Sequence, residues 1–503
     1  MSEPRFSILI PSRNRLSLLK LAVDSVLAQR FSSIEIIISD NCSDENYQYF
    51  IDQIDAASVI YLRSSTPISV TENWNRALEA ASGEYIVMLG DDDALGPDML
   101  IKMDRLASEY SDPDCLYVMA YHYAYPGVFV DQPSGYLCKV SNSPLFEAEL
   151  PYMLDAVLAR QHAVNGLRLH HSVSFNAQHF IWRRDFIKTG PQPFFQSPYP
   201  DYFACFTTMA SGGRILVIPS AEVLIGISKN SFGFYFANSR EDEGVAQFLA
   251  SDVDIGSVSS GIDGANEALE FPGSHHYRSW LIASLLARKY LGLIDNCAES
   301  FDRYKTIQLY GIAFEAGYSR KIDSTKLAKI GKMLKKRERA RLAAMVRGFV
   351  SLRLSKIATA SLASYGISAA LSIHAAPKIY PQNLIDHSNI MDAYNFVHEQ
   401  KLADTTERTV QLLDPRDRHI EKLTKLLNET ISRADRVAPL EQILADKDAH
   451  IDKLTALLIE SRSCADRVPS LLEGLADKDA HIDKLTALLL AEYGRTDRTT
   501  GSD

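Results

Sequence analysis

The 503-residue sequence lacks the features that would place a protein outside the cytoplasm or within a membrane. Its six cysteines include no C-x-x-C pair and have no histidine at zinc-finger spacing, which favours a reduced compartment and argues against a structural zinc site. The N-terminus has no basic start followed by an apolar run, so no secretory signal is indicated. The nearest approach to a membrane span, 357–373, is rich in Ser, Thr and Gly and is shorter than the roughly 20 residues that a span needs. These absences predict a cytoplasmic protein.

Positive charge is also scarce, because 63 Asp and Glu outnumber 53 Lys and Arg. The exception is Lys326–Lys356, where eleven Lys and Arg accompany one acid, Glu338. Lysines alternate there with Leu and Ile, which predicts an amphipathic basic helix suited to anionic lipid head groups. A solvated helix face explains the same pattern. Because no aromatic stacking platform accompanies the charge, we expect peripheral contact with the inner face of the cytoplasmic membrane and no nucleic-acid partner.

Strand-like and helix-like segments alternate at the start of the chain. Short apolar runs lie at 6–11, 34–38, 59–62 and 85–89. This order is typical of an α/β fold with a mainly parallel sheet and right-handed crossovers. In such sheets the ligand crevice lies beyond the carboxyl ends of the strands, so Ser12, Asp40 and Asp91 are expected to line one crevice.

Three consecutive aspartates, Asp91, Asp92 and Asp93, follow the apolar run 85–89 and Gly90. Adjacent carboxylates offer several hard oxygen ligands, which suit Mg²⁺ or Mn²⁺ bridging phosphate oxygens. A solvated acidic turn that caps the next helix is the alternative. The buried strand favours the metal site, because it aims the aspartates at the crevice and like charges packed together need a cation.

Four segments, taken in order, resemble family 2 of the glycosyltransferases, whose catalytic domain has the nucleotide-binding fold called GT-A. They are FSILIPSRNR, IEIIISDNCSD, NWNRALEAASGEYIVMLGDDDALGPDML and SPYPDYFACFTTMASGGRILVIP. The resemblance covers residues 6–227. It implies an enzyme that moves a sugar from a nucleotide-diphosphate donor to a hydroxyl of a glycan or lipid-linked glycan, as in the building of bacterial surface polysaccharides.

The resemblance implies roles for individual residues near the donor. The expected donor-binding residues are Pro11, Ser12, Arg13, Asn14, Asp40, Asn73, Asn75 and Asp91, and Ser228, Lys229 and Ser231 are expected near the diphosphate. Asp40 would accept hydrogen bonds from the base or ribose, although an Asx turn also explains an aspartate there. Asp91, Asp92 and Asp93 would hold the metal. Many relatives carry aspartate where this chain has Gly90, so the metal is expected on Asp92 or Asp93 more than on Asp91.

Sugar transfer with inversion requires a base that takes the proton of the acceptor hydroxyl. In the family this carboxylate stands at the start of a helix, and Asp201 in the sequence YPDY matches it. An aspartate at a helix start is also a common N-cap. The preceding segment, 175–190, resembles the family's acceptor region, where His179, Trp182 and Arg183 are candidate sugar contacts.

Three domains are predicted: a GT-A domain at 1–235, a helical accessory region at 236–400 that contains the basic segment 326–356, and a repeat tail at 401–503. The tail holds three copies of a 31-residue helical unit, marked by His419, His450 and His481. Heptad-like leucine spacing predicts a coiled-coil-like tail for oligomerisation or partner docking, although prolines interrupt each join. Asp446 and His450 are better explained as a solvated i, i+4 pair than as metal ligands.

The preferred interpretation is a metal-dependent inverting glycosyltransferase. An inactive GT-A-like scaffold that acts through its coiled-coil tail and basic helix is the main alternative, and the intact aspartates argue against it. A nucleotidyltransferase is a second alternative, but it would usually show a Gly-rich loop after the first strand. The sequence PSRNR, at 11–15, contains no glycine.

Overall fold

The computed structural model describes residues 3–354, apart from 55–58, 130–132, 140–142, 171, 238–239, 241–242, 245–252 and 295–296, together with residues 378, 379 and 390. All of them belong to one unit, Met1–Leu412. The repeat tail at 401–503 lies outside the described residues, so its coiled-coil assignment and the three-domain division stay predictions.

The described strands form a single sheet. They are β1 (Phe6–Ser12), β2 (Ile34–Asp40), β3 (Val59–Arg63), β4 (Tyr85–Met88), β5 (Ala94–Leu95), β6 (Cys115–Ala124), β7 (Tyr136–Lys139), β8 (Tyr152–Met153), β9 (Phe180–Arg183), β10 (Ile215–Ile227) and β11 (Lys378–Ile379). The order along the main path is β11-β7-β6-β9-β4-β1-β2-β3, and β10 pairs with β5, β6 and β8.

The sheet is mixed, so the prediction of a mainly parallel sheet is wrong. The segment β4-β1-β2-β3 is parallel, as the alternating pattern predicts. Strand β9 lies antiparallel between β4 and β6, and β5, β7, β8 and β11 also pair antiparallel. A strand buried on both faces carries the same apolar pattern in either direction, so its sequence does not reveal which way it runs.

Helices cover both faces of the sheet. They are α1 (Leu16–Leu27), α2 (Tyr47–Ile51), α3 (Val70–Glu79), α4 (Met99–Glu109), α5 (Ala156–Leu167), α6 (Arg184–Thr189), α7 (Pro200–Ala210), α8 (Phe232–Ala237), α9 (Ile255–Ser259), α10 (Ala265–Leu269), α11 (His275–Leu291), α12 (Ala298–Gly317), α13 (Ser324–Met333) and α14 (Lys336–Leu354). Successive residues of β1 point to opposite faces of the sheet and belong to two different hydrophobic cores. Ile8 packs with α1 and α4, whereas Leu9 packs on the face covered by α3.

The larger core joins the sheet to the helices that follow it. Phe203 and Phe206 of α7 share this core with Trp280 of α11 and Tyr304 of α12. The indole Nε1 of Trp280 also donates to the main-chain oxygen of Gly166 at 3.0 Å. The helical region therefore supports α7, whose first turn carries Asp201.

Helix α13 shows the amphipathic pattern that its sequence predicts. Leu327 and Ile330 pack against the larger core, whereas Lys326, Lys329 and Lys332 are exposed. Within the described ranges, no helix is both long enough and apolar enough to cross a membrane.

Candidate active site

The carboxyl ends of β1, β2 and β4 meet at one edge of the sheet. Ser12 pairs in register with Asp40, and its Oγ donates to Oδ2 of Asp91 at 2.6 Å. The hydroxyl of Tyr47 lies 2.8 Å from Ser12 Oγ and accepts the main-chain N–H of Arg15 at 2.9 Å. The turn after β1 is thereby tied to the aspartates, at the place where an α/β sheet binds its ligands.

The three aspartates are buried, and their carboxylates have different partners. Asp91 is held by Ser12 and by the guanidinium of Arg15, with Nη2 2.8 Å from Oδ1. Asp92 accepts the hydroxyl of Ser228 at 2.7 Å through Oδ2. In the described part of the chain, no three His, Cys, Asp or Glu side chains converge as ligands of a metal ion.

Asp93 uses both carboxylate oxygens to hold the protein together. Its Oδ1 accepts the N–H of Gly226 at 2.8 Å. Its Oδ2 accepts the N–H of Gly90 and the amide of Gln178, each at 2.7 Å. A metal bound to Asp93 would have to displace one of these donors, so this carboxylate is better suited to fixing the loop than to metal binding.

Asp91 and Asp92 do fit a divalent metal. Asp91 Oδ1 has no aligned hydrogen-bond donor within the described residues, and it faces the cation of Arg15. Only Oδ2 of Asp92 makes hydrogen bonds to the described residues. One or two carboxylates completed by substrate phosphates are the usual protein contribution to a Mg²⁺ site.

Burial governs the charges at this site. It raises the pKa of Asp91 and of Asp93, and the neighbouring charge of Asp92 adds to the rise. Burial by itself would lower the pKa of Arg15, but the charges of Asp91 and Asp92 outweigh it and the pKa is raised. Arg15 is therefore a permanent cation beside two acids.

Two glycines allow the backbone to approach the aspartates. A Cβ at Gly226 would lie 1.8 Å from the main-chain oxygen of Asp92, and one at Gly90 would lie 2.6 Å from Oδ2 of Asp93. Neither position has room for a side chain. At position 90 the close atom is the Asp93 carboxylate, so a side chain there would displace the oxygen that accepts the Gly90 and Gln178 amides.

Two of the other residues predicted to bind the donor, Asp40 and Asn14, already have hydrogen-bond partners in the protein. Asp40 is fully buried, and its carboxylate accepts from the N–H of Ser43, the hydroxyl of Tyr61 and the guanidinium of Arg63, at 2.8, 2.7 and 3.2 Å. Asn14 links the turns after β1 and β2, since its N–H donates to Ser43 at 2.9 Å.

Arg13 is exposed at the same edge, and Pro11 is partly exposed within β1.

Asn73 and Asn75 lie on α3. Asn73 exchanges hydrogen bonds with Ser39 of β2, at 2.9 and 3.0 Å. Asn75 binds both the main-chain oxygen and the N–H of Phe195, at 2.9 and 3.2 Å. Asn75 therefore fixes the loop that leads into α7.

Asp201 stands in the first turn of α7, where Oδ1 accepts the N–H of Tyr202 at 2.9 Å. Burial raises the pKa of this carboxyl to about 7. Beside it, the hydroxyl of Tyr199 is hydrogen-bonded to Nδ1 of His276 on α11, at 2.7 Å. A carboxyl that titrates near neutral pH is suited to proton transfer.

A 3₁₀ turn connects Asp201 to the aspartates. This turn, Ala177–His179, packs against α7, and its Gln178 holds Asp93. The same turn therefore contacts both the helix that carries Asp201 and the loop that carries the three aspartates.

Of the three residues predicted to contact the acceptor, two are buried and one is partly exposed. His179 and Trp182 are fully buried, with His179 Nδ1 2.8 Å from the oxygen of Val118 and Trp182 donating to Thr208 at 2.9 Å. Arg183 is partly exposed, 3.5 Å from Glu84. Their placement offers no support for an acceptor role.

Three residues of the site were missed by sequence reasoning: Arg15, Tyr47 and Gln178. Arg15 was discoverable, since a cation follows the first strand at the edge where the acids were expected. Tyr47 and Gln178 carry no local signal, because only the fold brings them to Ser12 and Asp93.

Comparison with known proteins confirms the family resemblance. The family model described as Glycosyl transferase family 2 matches residues 7–185. The "GalNAc(5)-diNAcBac-PP-undecaprenol beta-1,3-glucosyltransferase" of Campylobacter jejuni is 31% identical over 109 residues, which cover 21% of this chain and 35% of the relative. A candidate colanic acid biosynthesis glycosyl transferase of Escherichia coli, WcaA, is 34% identical over 101 residues, which cover 20% of this chain and 36% of the relative.

These matches are partial: this chain spans only about a third of the length of those two relatives. Among solved structures, that of S. aureus TarS 1-349 in complex with UDP covers 70% of this chain and 91% of its own, at 15% identity and a TM-score of 0.35. A score that low supports no conclusion about function. The family match supports a GT-A-like α/β fold for the N-terminal part of the chain.

Proposed function

Because residues 7–185 match glycosyl transferase family 2, we propose that this protein is a glycosyltransferase of bacterial polysaccharide biosynthesis. It would move a sugar, with inversion, from a nucleotide-diphosphate donor to a hydroxyl of a glycan or lipid-linked glycan. The observation that supports this most directly is the edge where β1, β4 and β10 end: there Ser12 donates a hydrogen bond to Asp91, and Ser228 donates one to the adjacent Asp92.

A divalent metal, Mg²⁺ or Mn²⁺, would neutralise the diphosphate as it leaves. Asp91 and Asp92 would hold it, while Asp93 anchors the loop to Gly226 and Gln178. Ser12 and Tyr47 orient Asp91 and the turn after β1. Arg13, exposed beside this edge, would lie under the nucleotide.

Asp201 would act as the base for the acceptor hydroxyl. Its raised pKa means that an ionised Asp201 binds a proton more strongly than an ordinary aspartate. The Asn75 amide fixes the loop before α7, so the position of Asp201 depends on α3 as well as on α11. Base and donor site thus belong to different elements that share a core.

The proposal is tested by screening nucleotide sugars for binding and slow hydrolysis with and without Mn²⁺. The wild type should respond to at least one donor only when metal is present. Asp92→Asn should lose that response, because it removes a carboxylate that would face the metal. Asp24→Asn, an exposed change on α1, is the control and should behave like wild type. A wild type that responds to no donor would contradict the proposal and favour the inactive scaffold.

Peripheral contact with an anionic membrane is part of this proposal, because a lipid-linked acceptor is presented at a membrane surface. Every Lys and Arg from Lys326 to Arg347 is exposed, while Leu327 and Ile330 pack inward. The apolar face of α13 is already used by the core. Contact would therefore be electrostatic, with each cation contributing about 1 kcal/mol near an anionic surface at moderate salt.

Sedimentation with phosphatidylcholine vesicles, with and without phosphatidylglycerol, tests this contact. Binding should require the anionic lipid and be lost at high salt. Replacing Lys326, Lys329 and Lys332 together by Gln should weaken it by more than about tenfold, since each charge contributes about 1 kcal/mol. The same change at Lys20, Lys188 and Lys321, also exposed, is the charge-matched control. Equal binding to neutral vesicles, or equal loss in both triple variants, would contradict the proposed contact.

A further inference from the structure

Arg15 occupies a position between the two acids that fit a metal. It caps the N-terminus of α1 directly after the turn from β1. Its Nη2 lies 2.8 Å from Asp91 Oδ1, and its Nη1 lies 3.8 Å from Asp92 Oδ2. Among the described residues, no other Lys or Arg forms an ion pair with either carboxylate.

The backbone of Arg15 is also held in place. The N–H of Arg15 donates to the hydroxyl of Tyr47, which also contacts Ser12. The side chain of Arg15 is 16% exposed and that of Asp92 is 10% exposed, so solvent reaches the cluster at one side. Two adjacent buried carboxylates repel each other, and Arg15 offsets that repulsion in the free protein.

A divalent metal and Arg15 have conflicting requirements. Both would lie against the carboxylates of Asp91 and Asp92, and two cations held that close together repel strongly away from water. A nucleotide diphosphate removes the conflict, because two of its oxygens can accept hydrogen bonds from the planar guanidinium at once.

We propose that Arg15 is the counter-ion of Asp91 and Asp92 in the free protein and that it turns to the donor diphosphate when the metal binds, so that metal and nucleotide bind together. This inference rests on the proposed glycosyltransferase function. Its consequence is a positive coupling between two ligands: each raises the affinity of the protein for the other. Metal without nucleotide binds weakly because it must displace a buried ion pair.

Calorimetric titration of Mn²⁺, with and without UDP, tests the coupling at about pH 8, where carboxylates with raised pKa values are mostly ionised. The wild type should bind Mn²⁺ weakly alone and at least about tenfold more tightly with UDP. Arg15→Gln should bind Mn²⁺ alone more tightly than wild type, and UDP with Mn²⁺ less tightly, each by about tenfold. Arg30→Gln removes an exposed Arg–Asp pair with Asp98 and should match wild type.

A counter-ion role predicts that Arg15→Gln binds Mn²⁺ alone more tightly and UDP with Mn²⁺ less tightly. A purely structural role of Arg15 would instead weaken both affinities. Arg15→Lys keeps the charge and should restore the weak binding of Mn²⁺ alone. Mn²⁺ alone should also raise the melting temperature of Arg15→Gln more than that of wild type. If Arg15→Gln gains no affinity for Mn²⁺ while wild type binds UDP with Mn²⁺, the counter-ion role is wrong and the proposed function stands. If wild type binds neither and also responds to no nucleotide sugar in the screen, the proposed function itself fails.

Discussion

Asp201, the proposed base, has an unusually high pKa. Burial raises its pKa to about 7, so the ionised form that accepts a proton increases from pH 6 to pH 8. The turnover rate should rise over that range. Asp201→Asn should lower kcat by about 100-fold or more while UDP binding is retained, since proton transfer contributes factors of that size. A pH–rate profile and a UDP titration check both effects.

The control for Asp201 is Asp185→Asn, an exposed change in the first turn of α6. Its rate and pH profile should equal those of wild type. A wild-type rate that is flat between pH 6 and pH 8, or an Asp201→Asn variant with normal kcat, would remove Asp201 from the role of base.

The buried carboxyl of Asp201 should lower the free energy of unfolding at neutral pH. Its folded pKa of about 7 exceeds the ordinary value, so the unfolded chain releases this proton at a lower pH than the folded protein does. Stability is therefore lost as pH rises toward the folded pKa. Asp201→Asn should increase the free energy of unfolding by up to about 4 kcal/mol at pH 8, and by less at pH 5. Urea unfolding at both pH values measures this, and a gain that is equal at the two would contradict the linkage.

At the residue scale, strand ends were predictable and side-chain partners were not. The position of Ser12, Asp40 and Asp91 at one edge follows from an α/β pattern in which polar residues end apolar runs, whereas the hydrogen bond between Ser12 and Asp91 does not. Asn75 was expected at the donor, but it binds Phe195, a residue 120 positions away in the chain. An amide carries no sequence signal that separates a ligand contact from a backbone contact across the fold.

At the scale of elements, β10 depends on one glycine to reach the aspartate loop. Gly226→Ala would place a Cβ 1.8 Å from the oxygen of Asp92, so either β10 or the loop must shift. We expect a loss of a few kcal/mol in the free energy of unfolding, together with weaker UDP binding, because the Gly226 N–H would leave Asp93. Urea unfolding and a UDP titration measure the two effects.

Gly311→Ala is the matched control for that substitution. Gly311 lies within α12, and a Cβ there would meet nothing within 4 Å. The change should stabilise the protein by about 0.5–1 kcal/mol, because alanine favours a helix interior over glycine. If both variants lose stability equally, close approach is not the reason for Gly226.

Two hydrogen bonds of Asn75 join α3 to the loop before α7. Asn75→Ala removes both hydrogen bonds to Phe195 and should allow Asp201 to move. We expect kcat to fall by about tenfold or more, since small misplacements of reacting groups are costly, with UDP affinity unchanged. Gln196→Ala, a change at a partly exposed residue of the same loop, should have no such effect. A fall in UDP affinity alone would instead support a direct donor contact for Asn75.

Element positions followed the sequence closely where strands alternate with helices, and less closely afterwards. The runs predicted at 6–11, 34–38, 59–62 and 85–89 overlap β1 to β4. The direction of β9 was not predictable. It is set by the path of the chain through α5 and the turn Ala177–His179, which no local pattern describes.

At the scale of the whole molecule, the site and the repeat tail are expected to be separable. All of the described site residues lie within Met1–Leu412. A chain that lacks residues 413–503 should bind UDP with Mn²⁺ as the full chain does, and its mass by light scattering should fall to that of a monomer. The second result depends on the predicted oligomerisation through the repeats. An unchanged oligomer would contradict it, and lost UDP binding would show that the tail contributes to the donor site.

The bonds from β10 to the aspartate loop have a practical consequence for anyone who shortens the gene. The family match ends at residue 185, yet Asp201, Gly226 and Ser228 all lie beyond it. A clone designed on the matched boundaries would keep the three aspartates and discard the strand that fixes two of them. Such a fragment would contain the recognised motif but lack part of the proposed site. The shortest gene fragment that could encode the whole site therefore extends at least to the end of β10 and the residue that follows it.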